Sequence, residues 1–283
     1  MSLYFCYPIG YNMLVPGRGC IRLPMCIDFH THILPGIDDG SRDEAMTEAL
    51  LREEAAQGVT LVTATPHFYP NRISVDRFLS RREAALESTE AIRRNADGSL
   101  PEIVCGAEVY YFQGIGKAKD IRRTAVGGQT LLLEMPFEQW TESMVRDVKD
   151  LQEQGLTVVL AHIERYPEFQ RKKECWEKLM GSGVIKQLNA GSFLKKSGPG
   201  GSGLLSGFVR GKKHIQFCLD FLRDHEETII GTDCHNLEGR RPKLRDAREV
   251  IRDALGAERL ERIDRLTETL AGAGRGKEKN GHG

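Results

Sequence analysis

What this chain does without already narrows what it can be. Its seven cysteines (Cys6, Cys20, Cys26, Cys105, Cys175, Cys218 and Cys234) are odd in number, scattered, and form no C-x-x-C. That disfavours a disulfide scaffold and a zinc ribbon, and suits a reducing cytoplasm. Charge of neither sign is in surplus: Lys plus Arg and Asp plus Glu number 40 each, so no overall field gathers nucleic acid or an anionic membrane, and only a local basic pocket is left open. No segment offers the roughly 20 unbroken apolar residues of a membrane span. The first 24 residues look apolar, but Pro8, Gly10, Asn12, Pro16, Gly17 and Gly19 interrupt them and no basic n-region or A-x-A site is present, which argues against a signal peptide. Walker loops, G-x-G-x-x-G after a strand and G-x-S-x-G elbows are absent too, leaving nucleotide-dependent kinases and serine hydrolases unsupported.

What is present is a regular alternation. Short β-like runs at Cys26–Phe29, Thr60–Ala64, Glu102–Cys105, Thr130–Leu133, Thr157–Ala161, Ile185–Leu188 and Thr228–Gly231 are separated by longer amphipathic stretches. The first helix is expected to start at a capping box, Ser41-Arg42-Asp43-Glu44, to bury Ala45, Ala49, Leu50 and Ala56, and to close at Gly58. Further helices are expected over Val75–Arg94, Glu142–Gln154, Glu174–Met180, Leu204–Arg223, Leu244–Leu255 and Ala257–Leu270. Repeated β-then-α order implies a parallel sheet with helices outside it, and seven such units in one domain favour a closed or distorted (β/α) barrel. That domain is expected over 25–271, with 1–24 a peripheral extension or a mis-assigned start, Ser197–Gly203 a mobile loop, and 272–283 a disordered tail with nothing to bury.

The residues with chemical potential recur at one topological place. His30 and His32 leave the first strand at spacing two, on one strand face. His67 follows Leu-Val-Thr-Ala-Thr-Pro, Glu108 follows Ile-Val-Cys-Gly-Ala, Glu134 ends Thr-Leu-Leu-Leu, His162 follows Thr-Val-Val-Leu-Ala, and Asp233 with His235 follows Thr-Ile-Ile-Gly-Thr. Asp38 or Asp39, in Pro-Gly-Ile-Asp-Asp-Gly, joins them. Any one of these reads more simply as an exposed histidine or a capping carboxylate. Together, at the C-terminal strand ends where barrel active sites form, they predict a metal centre. Glu134 is the most telling, because an acid ending a Leu-Leu-Leu run is costly to bury without a cation or hydrogen bonds. Imidazole mixed with hard carboxylate and no thiolate suits Mn, Fe or Zn. About nine ligands exceed the needs of one ion, so several ions are expected, bridged by a carboxylate such as Glu108. Such ions make a hydroxide nucleophile from water near neutral pH, and the expected chemistry is hydrolysis.

Arg165 in His-Ile-Glu-Arg-Tyr and Arg240 in Asp-Cys-His-Asn-Leu-Glu-Gly-Arg sit beside ligands. Their planar forks suit phosphoryl oxygens, although each reads equally well as a solvated arginine. Asn189 is a weaker candidate for polar contacts behind the ligands. Cys234 to Arg240 spells C-x5-R, the pattern of cysteine-dependent phosphatases. Asp233 beside the thiol opposes its ionisation, and Glu238 in the loop aims a carboxylate at the phosphate, so the thiol route is disfavoured.

Ile-Asp-Phe-His-Thr-His-Ile-Leu-Pro-Gly-Ile-Asp-Asp-Gly, Ala-Thr-Pro-His, Gly-Ala-Glu-Val-Tyr-Tyr, Ala-His-Ile-Glu-Arg-Tyr and Thr-Asp-Cys-His-Asn-Leu-Glu-Gly-Arg-Arg-Pro together resemble the bacterial tyrosine-protein phosphatases of the polymerase and histidinol phosphatase (PHP) superfamily, the CpsB/CapC/YwqE-like regulators of capsule and exopolysaccharide synthesis. The resemblance runs from about Met25 to about Leu270. It implies a distorted (β/α)7 barrel with up to three metal ions, manganese preferred, held by His30, His32, Asp39, His67, Glu108, Glu134, His162, Asp233 and His235. In that pattern the second aspartate of Asp-Asp-Gly is the ligand, and Arg165 and Arg240 contact phosphate. It further implies phosphotyrosine hydrolysis on the tail of a bacterial tyrosine kinase. The chain departs from the pattern in its N-terminal extension, in Cys234 and in the Gly-rich segment after Lys196. Two rivals stand beside this expectation: another phosphoesterase of the superfamily, acting on histidinol phosphate or nucleic acid, and a non-enzymatic partner of the export kinase that keeps its metals for structure.

Overall fold

The computed structural model describes residues 25–194 and 211–272 in full, and residues 12–15, 19–22 and 204–210 as backbone. Two strands near the start, β1 (Asn12–Val15) and β2 (Gly19–Arg22), pair antiparallel, with Val15 opposite Gly19. The sequence reading expects no strand there. Most of 1–24, the Ser197–Gly203 loop and the tail beyond Gly272 lie outside the described residues.

The main sheet is parallel throughout. Its strands are β3 (Ile27–Thr31), β4 (Leu61–Ala64), β5 (His67–Phe68), β6 (Glu102–Cys105), β7 (Glu108–Tyr110), β8 (Thr130–Glu134), β9 (Thr157–Leu160), β10 (Ile185–Asn189) and β11 (Thr228–Gly231). They group as β3-β4-β6 and β11-β10-β9-β8-β7-β5. The two groups are one surface, because β5 continues the line of β4 and β7 that of β6. Pro66, which lacks an amide hydrogen, separates the first pair. Gly106 and Ala107 separate the second. Closure comes from β11 meeting β3: Asp233 N–H donates to His30 O at 2.7 Å and His32 N–H to Cys234 O at 2.9 Å. The result is the expected α/β barrel of seven staves, distorted where two of them break. The short ligand-bearing strands β5 and β7 are additions to the expected set, since two or three residues give no readable alternation.

Eight helices lie among the described residues: α1 (Glu44–Ala56), α2 (Val75–Asn95), α3 (Glu142–Glu153), α4 (Glu168–Arg171), α5 (Glu174–Met180), α6 (Leu204–Asp224), α7 (Leu244–Leu255) and α8 (Ala257–Leu270). The start of α1 corrects the expected capping box. Asp43 is the N-cap, its Oδ1 accepting Met46 N–H at 2.8 Å, while the Ser41 hydroxyl pairs with Thr47 Oγ1 at 2.8 Å. The buried face is also different: Thr47, Leu50, Leu51 and Glu54 are inside, whereas Ala45 and Ala56 are exposed. Small alanines scattered around a helix are a poor guide to its inner stripe when Thr and Glu can be buried through specific bonds.

Two apolar layers result. The larger fills the space between staves and helices. The smaller lies inside the barrel, where Ile27, Phe29, Leu61, Leu132, Val159 and Ile229 meet Leu270 and Ala271 from the end of α8. Side chains and α8 thus plug the N-terminal end of the barrel, leaving its C-terminal mouth for polar groups.

Behind the β3/β11 seam is a buried acid pair. Asp28 Oδ1 accepts Thr232 N–H at 2.9 Å and His30 N–H at 3.2 Å. Its carboxyl also meets that of Glu54 on α1, and Cys234 Sγ donates to Glu54 Oε1 at 3.7 Å. All three side chains are fully buried. Burial, then the neighbouring Asp28 charge, holds the Glu54 carboxyl well above its ordinary range; burial raises Asp28 as well. The two acids therefore share a proton. A carboxyl that binds its proton more tightly when folded stabilises the fold fully below its unfolded pKa of about 4.3 and loses that contribution as pH rises toward the folded value. Glu54→Gln keeps a hydrogen-bond donor without titrating. The melting temperature of wild type should fall relative to Glu54→Gln between about pH 5 and pH 8, whereas Glu54→Ala should lose about 3 kcal/mol by leaving Asp28 alone. A constant difference between wild type and Glu54→Gln across that range would refute proton sharing.

Candidate metal centre

His30 and His32 both turn into the mouth although Ile27 and Phe29 belong to the inner apolar layer. Strict alternation forbids this. The register of β3 against β4 shifts between Asp28 and Thr31, and that irregularity changes the parity. Two glycines make the close approach possible: a Cβ on Gly231 would lie 2.7 Å from His30 Cβ, and one on Gly40 would lie 2.2 Å from His32 O. After β9 and after β11, His162 and Asp233 adopt left-handed backbone, φ 33° and 54°, a conformation uncommon outside glycine that lets their side chains join the cluster.

Glu108 is the hub. It is buried, and its Oε2 lies 3.2 Å from His30 Nε2, 3.3 Å from His32 Nε2 and 3.0 Å from His67 Nδ1, while Oε1 lies 2.9 Å from His162 Nε2. Glu134 Oε1 is 3.4 Å from the same His162 nitrogen. Asp233 Oδ1 lies 3.6 Å from His30 Nε2 and 3.4 Å from His32 Nε2. Asp39 is 3.5 Å from His67 Nε2 and 3.3 Å from His235 Nε2. All nine expected donors therefore meet in one cluster. Three groups have donor atoms mutually within 4.8 Å: His32, Asp39, His67 and His235; His30, His32, Glu108 and Asp233; and His67, Glu108 and Glu134.

The residues fit a metal because their outward nitrogens are already committed. Gln187 Oε1 sits 3.1 Å from His30 Nδ1, Asp38 Oδ2 is 2.7 Å from His32 Nδ1, and Asp233 O is 3.0 Å from His235 Nδ1. Each acceptor places the proton on Nδ1 and leaves Nε2 as a lone pair facing inward. Two such lone pairs, His30 Nε2 and His32 Nε2, stand 3.1 Å apart, an arrangement that needs a cation or a proton between them. Glu108 Oε2, His67 Nδ1 and His235 Nε2 are buried without hydrogen-bond partners, as donors to an ion would be. The protonation balance agrees. Burial opposes charge on His32, but bonds to Asp233, Asp38 and Glu108 more than offset it and raise its pKa well above normal. His162 is pushed up to about 10, Glu108 and Glu134 outweighing its burial. Burial, then His32 and Arg240, lowers His235 to about 4. The carboxylates thus demand positive charge, and an ion supplies it by displacing protons.

Asp38 and Asp39 have different tasks. Asp38 is buried, orients His32, and accepts from His67 N–H at 2.9 Å and Gly40 N–H at 2.9 Å. Asp39 is exposed and reaches toward the cluster. Arg165 and Arg240 converge on Asp233, 3.2 Å from Oδ2 and 2.7 Å from Oδ1 respectively, each with about two fifths of its side chain exposed. Asn189 Nδ2 donates to Asp233 Oδ2 at 2.9 Å, and Asn189 Oδ1 accepts from Gln187 Nε2 at 2.9 Å. Gln187, unremarked in the sequence reading, also accepts His162 N–H at 2.8 Å. Its signal was there: it lies two residues before Asn189 on a buried strand, hence on the same face. Cys234 is fully buried, its thiol raised well above normal by burial, Glu54 and Asp28. It points behind the seam, away from the role of a nucleophile.

Comparison with known proteins identifies what the chain is similar to. Residues 26–268 match the family described as capsular polysaccharide synthesis, CpsB/CapC. The chain is 27% identical over 246 residues to the tyrosine-protein phosphatase CpsB of Streptococcus pneumoniae, covering 84% of this chain and 94% of that one. To the tyrosine-protein phosphatase YwqE of Bacillus subtilis it is 26% identical over 235 residues, covering 82% and 86%. A crystal structure from work on YwqE and CpsB, described as metal-dependent tyrosine phosphatases, superposes with a TM-score of 0.69 at 23% identity over 87% of this chain and 94% of that one. That superposition establishes the shared fold.

Manganese added at about 100 times its dissociation constant to chelator-stripped protein should stabilise it by roughly 2.7 kcal/mol per site. Glu108→Ala should abolish the gain, and Asp38→Asn should weaken binding about 10- to 100-fold, as read by thermal unfolding and elemental analysis. No stabilisation of the wild type by any divalent ion would sink the metal assignment.

Proposed function

Because the chain belongs to the CpsB/CapC family of capsular polysaccharide synthesis, we propose that it is a metal-dependent protein-tyrosine phosphatase, acting in the cytoplasm on the phosphotyrosine tail of a bacterial tyrosine kinase. The observation that carries this reading is the convergence of two half-exposed guanidinium groups on the Asp233 carboxylate at the rim of the donor cluster. His30, His32, Asp39, His67, Glu108, Glu134, His162, Asp233 and His235 hold up to three ions, manganese being the preferred one. When bound, such ions provide a water-derived nucleophile near neutral pH and offset phosphoryl charge.

The chain's own part is positioning. Arg165 and Arg240 each bond a different oxygen of Asp233, and the N–H groups not used there are suited to take phosphoryl oxygens in a fork. Asn189 and Gln187 fix the Asp233 side chain and the His30 ring from behind, so the receiving groups need little rearrangement as charge develops. A phenol leaves readily once the phosphorus–oxygen bond breaks, so no strong proton donor is required at the ester oxygen.

Arg165→Ala and Arg240→Ala should each lower kcat/KM on a phosphotyrosine peptide by roughly 100- to 1,000-fold, while Cys234→Ser keeps most of the activity. Preference of the wild type for histidinol phosphate or a short oligonucleotide would overturn the substrate assignment. Complete loss in folded, metal-loaded Cys234→Ser would overturn the mechanism, and absence of turnover on every phosphoester would favour a non-enzymatic role.

A further inference from the structure

Among the described residues only three large apolar side chains are exposed: Phe137, Phe169 and Leu237. Each follows the C-terminal end of a stave in the chain, β8, β9 or β11. Phe137 is the one in contact with the site. Its ring lies parallel to His162, with an interplanar angle of 3° and centroids 6.5 Å apart, and the Arg165 guanidinium carbon stands over it at 5.9 Å. It therefore spans from a proposed ligand to a proposed phosphate-binding arginine.

The ring is held out deliberately. Tyr166 Oη accepts Met135 N–H at 2.8 Å, Trp140 Nε1 donates to Pro136 O at 2.8 Å, and Gln170 Oε1 accepts Trp140 N–H at 3.1 Å. These bonds fix the loop on both sides of Phe137 on a buried aromatic base of Tyr166, Trp140 and Trp176. A fixed loop that leaves a phenyl ring 37% exposed beside a polar cluster forgoes apolar burial that a ligand covering that ring restores. Opposite it, Tyr69 stacks near His67 at 5.2 Å. His67 and His162 sit on different oxygens of Glu108, so Tyr69 and Phe137 flank the carboxylate hub from its two sides.

We propose that Phe137 is the substrate-contacting wall that selects aryl phosphates, packing against the tyrosine ring while Arg165 beside it takes the phosphoryl group. The proposal rests on the phosphatase reading above. Recognition then has two parts at one place: a cation for the phosphate, and an aromatic face about one ring away for the phenol.

The test compares a phosphotyrosine peptide with acetyl phosphate, which has a good leaving group and no ring. Phe137→Ala should lose about tenfold in kcat/KM on the peptide, mainly through KM, with less than about twofold change on acetyl phosphate and in inhibition by inorganic phosphate. Phe137→Tyr should restore the peptide activity. Equal losses on both substrates with weaker phosphate inhibition would mean that Phe137 only props Arg165, and would overturn the proposal, as would an unchanged peptide KM. Thermal unfolding of the variants separates either result from misfolding. Wild type that cleaves acetyl phosphate and no phosphotyrosine would instead overturn the phosphatase reading and this proposal with it, so the two failures are distinguishable.

Discussion

A buried carboxylate cannot stay charged in a protein interior without compensating partners, and Glu108 stands within reach of four imidazoles, His30 and His32 from β3, His67 after the break in the β4 stave and His162 after β9. Everything at the mouth is arranged to keep those rings in place. Gln187, Asp38 and the Asp233 carbonyl hold the outward nitrogens, left-handed backbone at His162 and Asp233 lets their side chains join the cluster, and Gly40 and Gly231 let the chain approach without side chains in the way. The carboxylates and imidazoles are individually unfavourable to bury. Their joint requirement for cations makes them a single unit.

Much of this was legible in the sequence because barrel architecture ties position to function. Seven apolar runs marked the staves, six of them followed by His, Asp or Glu donors and one by Asn189, and the boundaries of Glu102–Cys105 and Thr228–Gly231 coincide with the observed strands. What stayed hidden depends on contacts between distant segments. Position on the strand end alone does not distinguish Asp38 from Asp39; the family pattern favours Asp39, and the reason is visible only when His32 Nδ1 is seen against one and His67 and His235 against the other. Glu54 is an ordinary helical glutamate by pattern, and only the tertiary approach of α1 to the β3/β11 seam pairs it with Asp28. The parity change at His30 is likewise a product of a shifted register, which no alternation rule foresees.

The seam itself joins two sorts of chemistry. On its inner side it carries His30, His32, Asp233 and His235; on its outer side Asp28, Glu54 and Cys234 form a dry acid cluster. Asp28 Oδ1 accepts amides from both strands, Thr232 and His30. The backbone of the inner donors is therefore held in part by a carboxylate that never faces the mouth. C-x5-R in this chain consequently spells two unrelated residues: a buried thiol behind the sheet and an arginine in front of it.

Closure of the barrel also fixes an order of events during synthesis. His30 receives its backbone partner from Asp233, about 200 residues later, and Phe29 and Ile27 are covered by Leu270 and Ala271. The entropy of closing so long a loop must be met before those contacts return anything. While the middle staves pair with their neighbours as they emerge, the first stave waits with an open edge and an uncovered apolar face, the state most prone to mispairing. Two of the three donor groups, His30 and His32 with Glu108 and Asp233, and His32 with Asp39, His67 and His235, are therefore complete only once β11 has met β3, whereas His67, Glu108 and Glu134 need neither strand.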